Sequence, residues 1–440
     1  MDRIRRERGH ASLEQNKKPV ICNRRPRPRH SKPNSDRGTF QRNLNAMAET
    51  ASENAKVEEG VAPNANVRGE VSMISCKHSA RKLACEWRGT KGQGFMVVFI
   101  HGHNSDIKNS YIFDKLANSF GEEGSVVGIE LPGHGRSEGL RGSLPNGNVL
   151  IEDLADVIVQ LYGQETEAQT VDGQNANKTN RQLEKTCQIL LCGHGMGGLL
   201  AVVLAEVLDR RFNPVAKKTP HHTIMGSFVL SPLIDYGSSV GHGACWHALL
   251  ACCTPCFLQR SPYKHDIKSL GLSAAETEME VKANHGDSES KMSRSQFLCS
   301  LAIIRRLKSL HWDTPNMSIL MVSGQQDSLT PWKGMSKFCQ ARNMKILVPD
   351  DHLNERVVEC NSSCVLLKNG NSHCLRDGIS WENGDDVAQD CILPALKNWV
   401  GVRKRIKGRM NSIYVTGDGI DAIPGNIKMK DLTSEMEKIY

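Results

Sequence analysis

The sequence predicts an α/β fold with a mostly parallel central sheet flanked by helices, and three observations carry that reading. Solid apolar runs of strand length, FMVVFI at residues 95–100 and QILLC at 188–192, are of the kind buried on both faces of a parallel sheet. Apolar residues at helical spacing follow, as in LLAVVLAEVL at 199–208. Between strand and helix lie Gly-rich turns.

By length the 440 residues could hold two or three domains, and one large α/β domain with insertions fits equally well. Lysine and arginine exceed aspartate and glutamate by 8, but residues 1–50 hold 13 basic and 5 acidic residues, so the whole excess sits there. The remainder is neutral, which argues against a specific nucleic-acid partner. Residues 1–65 lack apolar periodicity and are expected to be a disordered basic tail, solvated or, alternatively, touching a membrane surface or nucleic acid or serving as an address signal. No secretory apolar core and no run of about 18 apolar residues is present, so a cytoplasmic location is expected. The 15 cysteines then read as reduced thiols.

Taken in order, residues 70–87 contain short alternating stretches that suit an antiparallel hairpin. The strand at 95–100 runs into His101-Gly102-His103-Asn104. A helix is expected over 111–120, a strand over 126–130 leading into LPGHGRSEGLRG, and an amphipathic helix over 151–162. Residues 163–182 are a polar insertion, read as a surface loop. A further strand near 226–235 leads into residues 236–310, which break the strand and helix rhythm and are expected to form a cap. Within it, residues 244–258 are apolar and Cys-rich: a packed cap helix, or a lid for acyl chains or the membrane face with Cys252 or Cys253 palmitoylated. Cys253 and Cys256 spell C-x-x-C, a poor zinc case without further ligands. Strands are expected at 316–323 and 357–367, the second interrupted by polar residues 361–363. A closing helix is expected over 387–400, and a frayed or disordered tail after Arg403.

The most informative stretch is 187–208. Strand, sharp turn and helix around G-x-S-x-G make a nucleophile elbow, with the serine lifted on a strained turn and the next amide serving an oxyanion hole. Here the turn is Gly193-His194-Gly195-Met196-Gly197, with Gly195 at the serine position. Gly193, Gly195 and Gly198 also satisfy the dinucleotide pattern G-x-G-x-x-G. That pattern wants an acidic residue roughly 20 positions on, at the end of the next strand. Glu206 and Asp209 fall in the helix instead, and Asp235 lies too far along.

Together with His101-Gly102 and Pro132-Gly133-His134-Gly135-Arg136-Ser137, the elbow resembles the monoacylglycerol lipase and lysophospholipase branch of the α/β-hydrolases, also called serine aminopeptidase-like, over roughly residues 70–402. The resemblance implies an α/β-hydrolase fold and hydrolysis of acylglycerol-type esters by a Ser-Asp-His triad, with neither cofactor nor metal. The loop G-x-x-D-x-x-x-P at 324–331 is similar to the family's acidic loop and implies Asp327 as the acid. The family's histidine lies between last strand and closing helix, which implies His373, with His352 as its rival. The oxyanion donors implied are the amides of His103 and Met196. Two departures stand out: Glu130 where the family usually has aspartate, and Gly195 where it has serine.

Without the attacking hydroxyl, a triad site keeps only about 10³–10⁴-fold acceleration from its oxyanion hole and binding. Cys192 cannot substitute, because it lies in the strand and points away from the turn. Glycine tolerates the strained turn, so the fold is expected to survive. Three readings follow: an impaired hydrolase that still binds a small acyl ester or lipid, with peripheral membrane contact through its cap; an active serine ester hydrolase in a form that carries serine in place of Gly195; or a non-catalytic interaction scaffold.

Overall fold

Each strand of the sheet places a loop at one of two edges, and the direction of the strands decides which loops meet. The computed structural model describes residues 69–172, 187–212, 223–236, 264–266, 289–310, 318–325, 327, 329–349, 352–367 and 392–415. The basic tail, residues 173–186, the Cys-rich stretch with Cys252, Cys253 and Cys256, and His373 lie outside them.

The expected hairpin is present as β1 (Glu70–Ser75) and β2 (Lys82–Gly89), paired antiparallel from Glu70 opposite Trp87 to Ser75 opposite Lys82. Then come β3 (Phe95–Ile100), α1 (Tyr111–Phe120), β4 (Ser125–Ile129) and α2 (Gly147–Asp172). The central pair is β5 (Gln188–His194) and α3 (Met196–Phe212), followed by β6 (Ile224–Leu230). β7 (Lys264–Asp266) and β8 (Glu289–Lys291) form a separate antiparallel pair before α4 (Arg294–Ser309). The chain closes with β9 (Ile319–Gly324), α5 (Trp332–Ala341), β10 (Lys345–Leu347), α6 (Leu353–Glu359), β11 (Ser362–Leu367) and α7 (Ile392–Val415).

Nine strands lie in the order β1-β2-β4-β3-β5-β6-β9-β11-β10. All pairs from β4 to β10 are parallel, and β2 joins β4 antiparallel. The apolar runs serve two faces: Met96, Val98 and Ile100 join one cluster with α2, α3 and α4, while Phe95, Val97 and Phe99 join the other with α1 and α7. Every residue of α3 from Met196 to Asp209 is buried, which is why this helix is apolar on all sides apart from Glu206 and Asp209.

Three boundaries depart from expectation, each for a physical reason. α2 does not stop at 162 but runs on to Asp172, so the polar insertion begins as helix rather than loop. Glu165 explains it: the side chain is fully buried and accepts hydrogen bonds from the Gly92 amide at 2.8 Å and the Ser125 hydroxyl at 2.5 Å. Thr166 Oγ1 also bonds back to the carbonyls of Tyr162 and Gly163. Residues 357–359 are helix rather than strand, because Leu353 and Val357, one turn apart, bury the same face of α6. The polar residues after them open β11 instead of interrupting it: Asn361 accepts from Ser318 Oγ, and Ser362 Oγ accepts from the Ile319 amide. Lastly, α7 continues past 403 to Val415. Two basic residues at its middle are docked: Arg403 is buried over the Trp399 ring and donates to Cys360 O, and Lys404 sits 3.6 Å above the Phe95 ring.

Replacing Glu165 with alanine removes the acceptor of the half-buried Gly92 amide and leaves the buried Ser125 hydroxyl only the longer bond to Thr90 O at 3.4 Å, at a cost of about 1–3 kcal/mol. The expected outcome is a lower urea midpoint for Glu165→Ala with Glu165→Gln retaining most of the stability; equal midpoints for wild type and Glu165→Ala would contradict it.

Candidate functional site

The turn between β5 and α3 is built by the backbone. Gly195 has φ of +55°, a left-handed conformation in which an ordinary side chain is strained. Its N–H donates to Leu230 O at 2.9 Å, and its carbonyl accepts from Leu233 N at 2.9 Å and Leu199 N at 3.2 Å. The exit of β6 thus holds both polar groups of the residue at the expected nucleophile position. Gly197 is required for packing: a Cβ there would sit 2.0 Å from Ile100 O and 2.4 Å from His101 O. The first turn of α3 therefore lies directly on the end of β3, bringing the two loops expected to supply oxyanion donors side by side. Met196 opens α3, where first-turn amides have no acceptor within the helix.

The His-Gly loop after β3 is held by its own buried histidine. His101 Nε2 accepts the Leu131 amide at 2.9 Å, so the proton sits on Nδ1 and donates to Gly102 O at 2.7 Å. Burial, and after it the neighbouring His134, push the pKa of His101 down to about 3. His134 repeats the pattern after β4: Nδ1 donates to Pro132 O at 2.9 Å, and Nε2 lies 3.0 Å from the Gln296 amide nitrogen. Burial lowers its pKa as well, outweighing the Pro132 bond that favours the proton.

Glu130, where the resembled family usually has aspartate, is an anchor of the same loop. It is buried, and its carboxylate takes the Arg136 amide and guanidinium, the latter at 2.9 and 3.1 Å. Arg136 also reaches Glu86 of β2 at 2.7 Å. Burial alone would raise the pKa of Glu86, but bonds from Arg136 and Arg88 outweigh it and hold the carboxyl below its ordinary value.

Asp327 follows β9 and is only 3% exposed. One oxygen accepts the amides of Leu329 at 2.8 Å and Thr330 at 2.9 Å, and the other accepts the Thr330 hydroxyl at 2.5 Å. β11 runs beside β9 with Leu367 opposite Gly324, and Gln325 N donates to Leu367 O. His373 comes six positions after Leu367, outside the described residues. The rival His352 is a surface residue: its side chain is 74% exposed, precedes α6 and pairs with Glu355 at 3.5 Å. Cys192 is fully buried in the cluster on the α1 and α7 face, and burial drives its thiol pKa far up, so it supplies no thiolate.

Sequence reasoning missed the part α4 has in this site. Gln296 is fully buried and caps the Ser293 amide through its carbonyl oxygen at 2.7 Å, while its amide nitrogen reaches Asn104 Oδ1 at 3.1 Å and His134 Nε2 at 3.0 Å. Ser300, also fully buried, lies 3.2 Å from His103 Nε2 and 3.8 Å from Met196 Sδ. The signal was legible as the capping box Ser293-Arg294-Ser295-Gln296 ahead of an apolar run. Its remote partners were not. Among the described residues no group of three or more His, Cys, Asp and Glu could hold a metal ion, and no helix is long and apolar enough to cross a membrane.

The family model for serine aminopeptidase, S33, matches residues 94–345, over half of the chain. Similar solved structures include a soluble variant of monoglyceride lipase from Saccharomyces cerevisiae in complex with a substrate analog, at 14% identity and TM-score 0.48, covering 80% of this chain and 97% of that one. The monoacylglycerol lipase of Paleococcus ferrophilus is similar at 17% identity and TM-score 0.42, covering 75% and 98%. A thermophilic esterase from Thermogutta terrifontis follows at 15% and 0.41, covering 78% and 99%. No curated protein sequence matches the chain.

A pH prediction comes from His101. The folded protein keeps this imidazole neutral down to about pH 3, whereas the unfolded chain takes up the proton near 6.5. The unfolded state therefore binds more protons between these values, so stability is full above the window and falls as pH drops through it, by about 1.4 kcal/mol per unit from this group. Urea midpoints measured from about pH 7 to about pH 5 are expected to fall less steeply in His101→Gln than in wild type. Parallel slopes would show that His101 is not held neutral.

Proposed function

This chain belongs to the serine aminopeptidase S33 family, and we propose that it keeps the family's ester-hydrolase site as a binding site for a small acyl ester or acylglycerol-type lipid, with hydrolysis impaired by loss of the nucleophile. The observation that carries the reading is Gly195 itself, at φ +55° in a turn whose every other feature is that of a nucleophile elbow.

In this reading Asp327 is the acid, His373 the base, and the amides of His103 and Met196 the oxyanion donors. The strand order supports the assignment. β5, β6, β9 and β11 are consecutive parallel neighbours, so the loops after them emerge at one edge, with β5 and β9 about 10 Å apart. A histidine on the loop after β11 has that span to bridge. In the working version, a hydroxyl at position 195 attacks the ester carbonyl, the imidazole takes its proton, and the carboxylate orients the ring. The two amides stabilise the oxyanion. With glycine at 195 there is no oxygen to attack, and the remaining donors can bind and polarise a carbonyl without forming an acyl-enzyme.

The second reading, a serine ester hydrolase in a form that carries serine in place of Gly195, is favoured by the intact elbow, and one variant tests both. Gly195→Ser introduces a side chain at a left-handed residue and is expected to cost about 1 kcal/mol of stability. It is expected to gain labelling by a fluorophosphonate probe and to hydrolyse monoacylglycerol at least about 10³-fold faster than wild type, which does neither appreciably. Adding Asp327→Asn or His373→Ala is expected to remove the gain. A folded Gly195→Ser protein that neither labels nor hydrolyses would overturn the triad assignment. Saturable binding of a non-hydrolysable monoacylglycerol ether to wild type is expected of a ligand site, and its absence would leave only a scaffold.

A further inference from the structure

We infer that α4 sets the geometry of the oxyanion hole, and that Ser300 is the positioning residue through which it does so; this rests on the reading of His103 and Met196 as oxyanion donors. One hydroxyl touches the side chains of both residues. Ser300 Oγ lies 2.6 Å from Gln296 O, 3.2 Å from His103 Nε2 and 3.8 Å from Met196 Sδ. A serine hydroxyl has a single proton, and the closest acceptor is the Gln296 carbonyl one turn back. The Ser300 lone pairs then face the imidazole, which donates its Nε2 proton to them. His103 is thereby held as the tautomer protonated at Nε2, with its ring tied to a buried helix.

One turn earlier, Gln296 grips the next residue of the same loop. Asn104 has φ of +50°, a left-handed turn uncommon for a residue with a side chain, and its Oδ1 accepts from Gln296 Nε2 at 3.1 Å. His103 and Asn104 are thus fastened to successive turns of α4, and Gln296 also reaches the loop after β4 through His134. α4 is itself packed on α2 and α3, the helix that begins at Met196. The two donors arise on separate elements, the β3 loop and the start of α3, whose backbones already pack directly at Gly197; α4 adds a contact to the side chains of both residues.

Helix stability does not account for Ser300. A serine bonded back to the carbonyl four residues before it is a poorer helix residue than alanine, and this one is fully buried in an otherwise apolar stretch, FLCSLAII. Its polar partners across the helix give it a reason. An oxyanion donor must lie within about 2.7–3.1 Å of the developing charge, and a displacement on the order of 1 Å costs about 10²-fold in rate.

The test uses the full chain carrying Gly195→Ser. Adding Ser300→Ala is expected to lower kcat per titrated active site by about 10- to 100-fold. KM and the affinity for a non-hydrolysable monoacylglycerol ether should stay within about twofold, since the ether presents no carbonyl to the oxyanion donors and a neutral ester carbonyl gains far less from them than the developing oxyanion does. The melting temperature should not fall. Ser300→Thr, which keeps the hydroxyl, should recover most of kcat. Nitrogen NMR of labelled histidines should show His103 protonated at Nε2 in the parent and a changed tautomer balance in Ser300→Ala. Unchanged kcat in Ser300→Ala, or a His103 protonated at Nδ1 in the parent, overturns the positioning role while leaving the triad reading in place. An inert Gly195→Ser parent overturns the triad reading and this inference with it.

Discussion

The left-handed turn at Gly195 is the constraint on which the site depends. A strand cannot pass directly into a helix lying across the sheet without one residue reversing its φ, and here both polar groups of that residue are bonded to the segment leaving β6. The turn therefore owes nothing to a side chain at 195. Glycine holds this left-handed conformation without the strain that a side chain would carry. Gly197 adds a second backbone constraint by letting α3 approach the end of β3.

Around the turn, the loops are fastened by buried polar groups whose charges are either cancelled or absent. His101 and His134 remain neutral because burial penalises the imidazolium and each ring already uses one nitrogen as donor and the other as acceptor. Glu130, Arg136 and Glu86 are charged but mutually paired, which compensates for their removal from water. Asp327 follows the same rule: three hydrogen bonds from its own loop satisfy the buried carboxylate.

Most of the architecture was legible in the residues. Solid apolar runs marked β3, β5 and β9, alternation marked the β1 and β2 hairpin, and helical spacing marked α1 and α3. Two of the three boundaries that departed from expectation did so where a polar residue was used at long range. Glu165 looked like part of a soluble loop until Gly92 and Ser125, far away in sequence, supplied its donors. Arg403 and Lys404 looked like the start of a tail until Trp399, Cys360 and Phe95 received them.

For the site itself, local pattern determined the strand, Gly-rich turn and helix around Gly195, because turn geometry and strand length are properties of a few consecutive residues, whereas the expected roles of position 195 and Asp327 came from the family resemblance. Tertiary structure alone decided that His101 is a neutral bolt, that Glu130 is paired with Arg136, and that Gln296 and Ser300 of α4 hold His103, Asn104 and Met196. Those last are contacts between residues up to 197 positions apart, and hydrogen-bond partners at such separation follow from how sheet and helices pack, which no stretch of sequence contains.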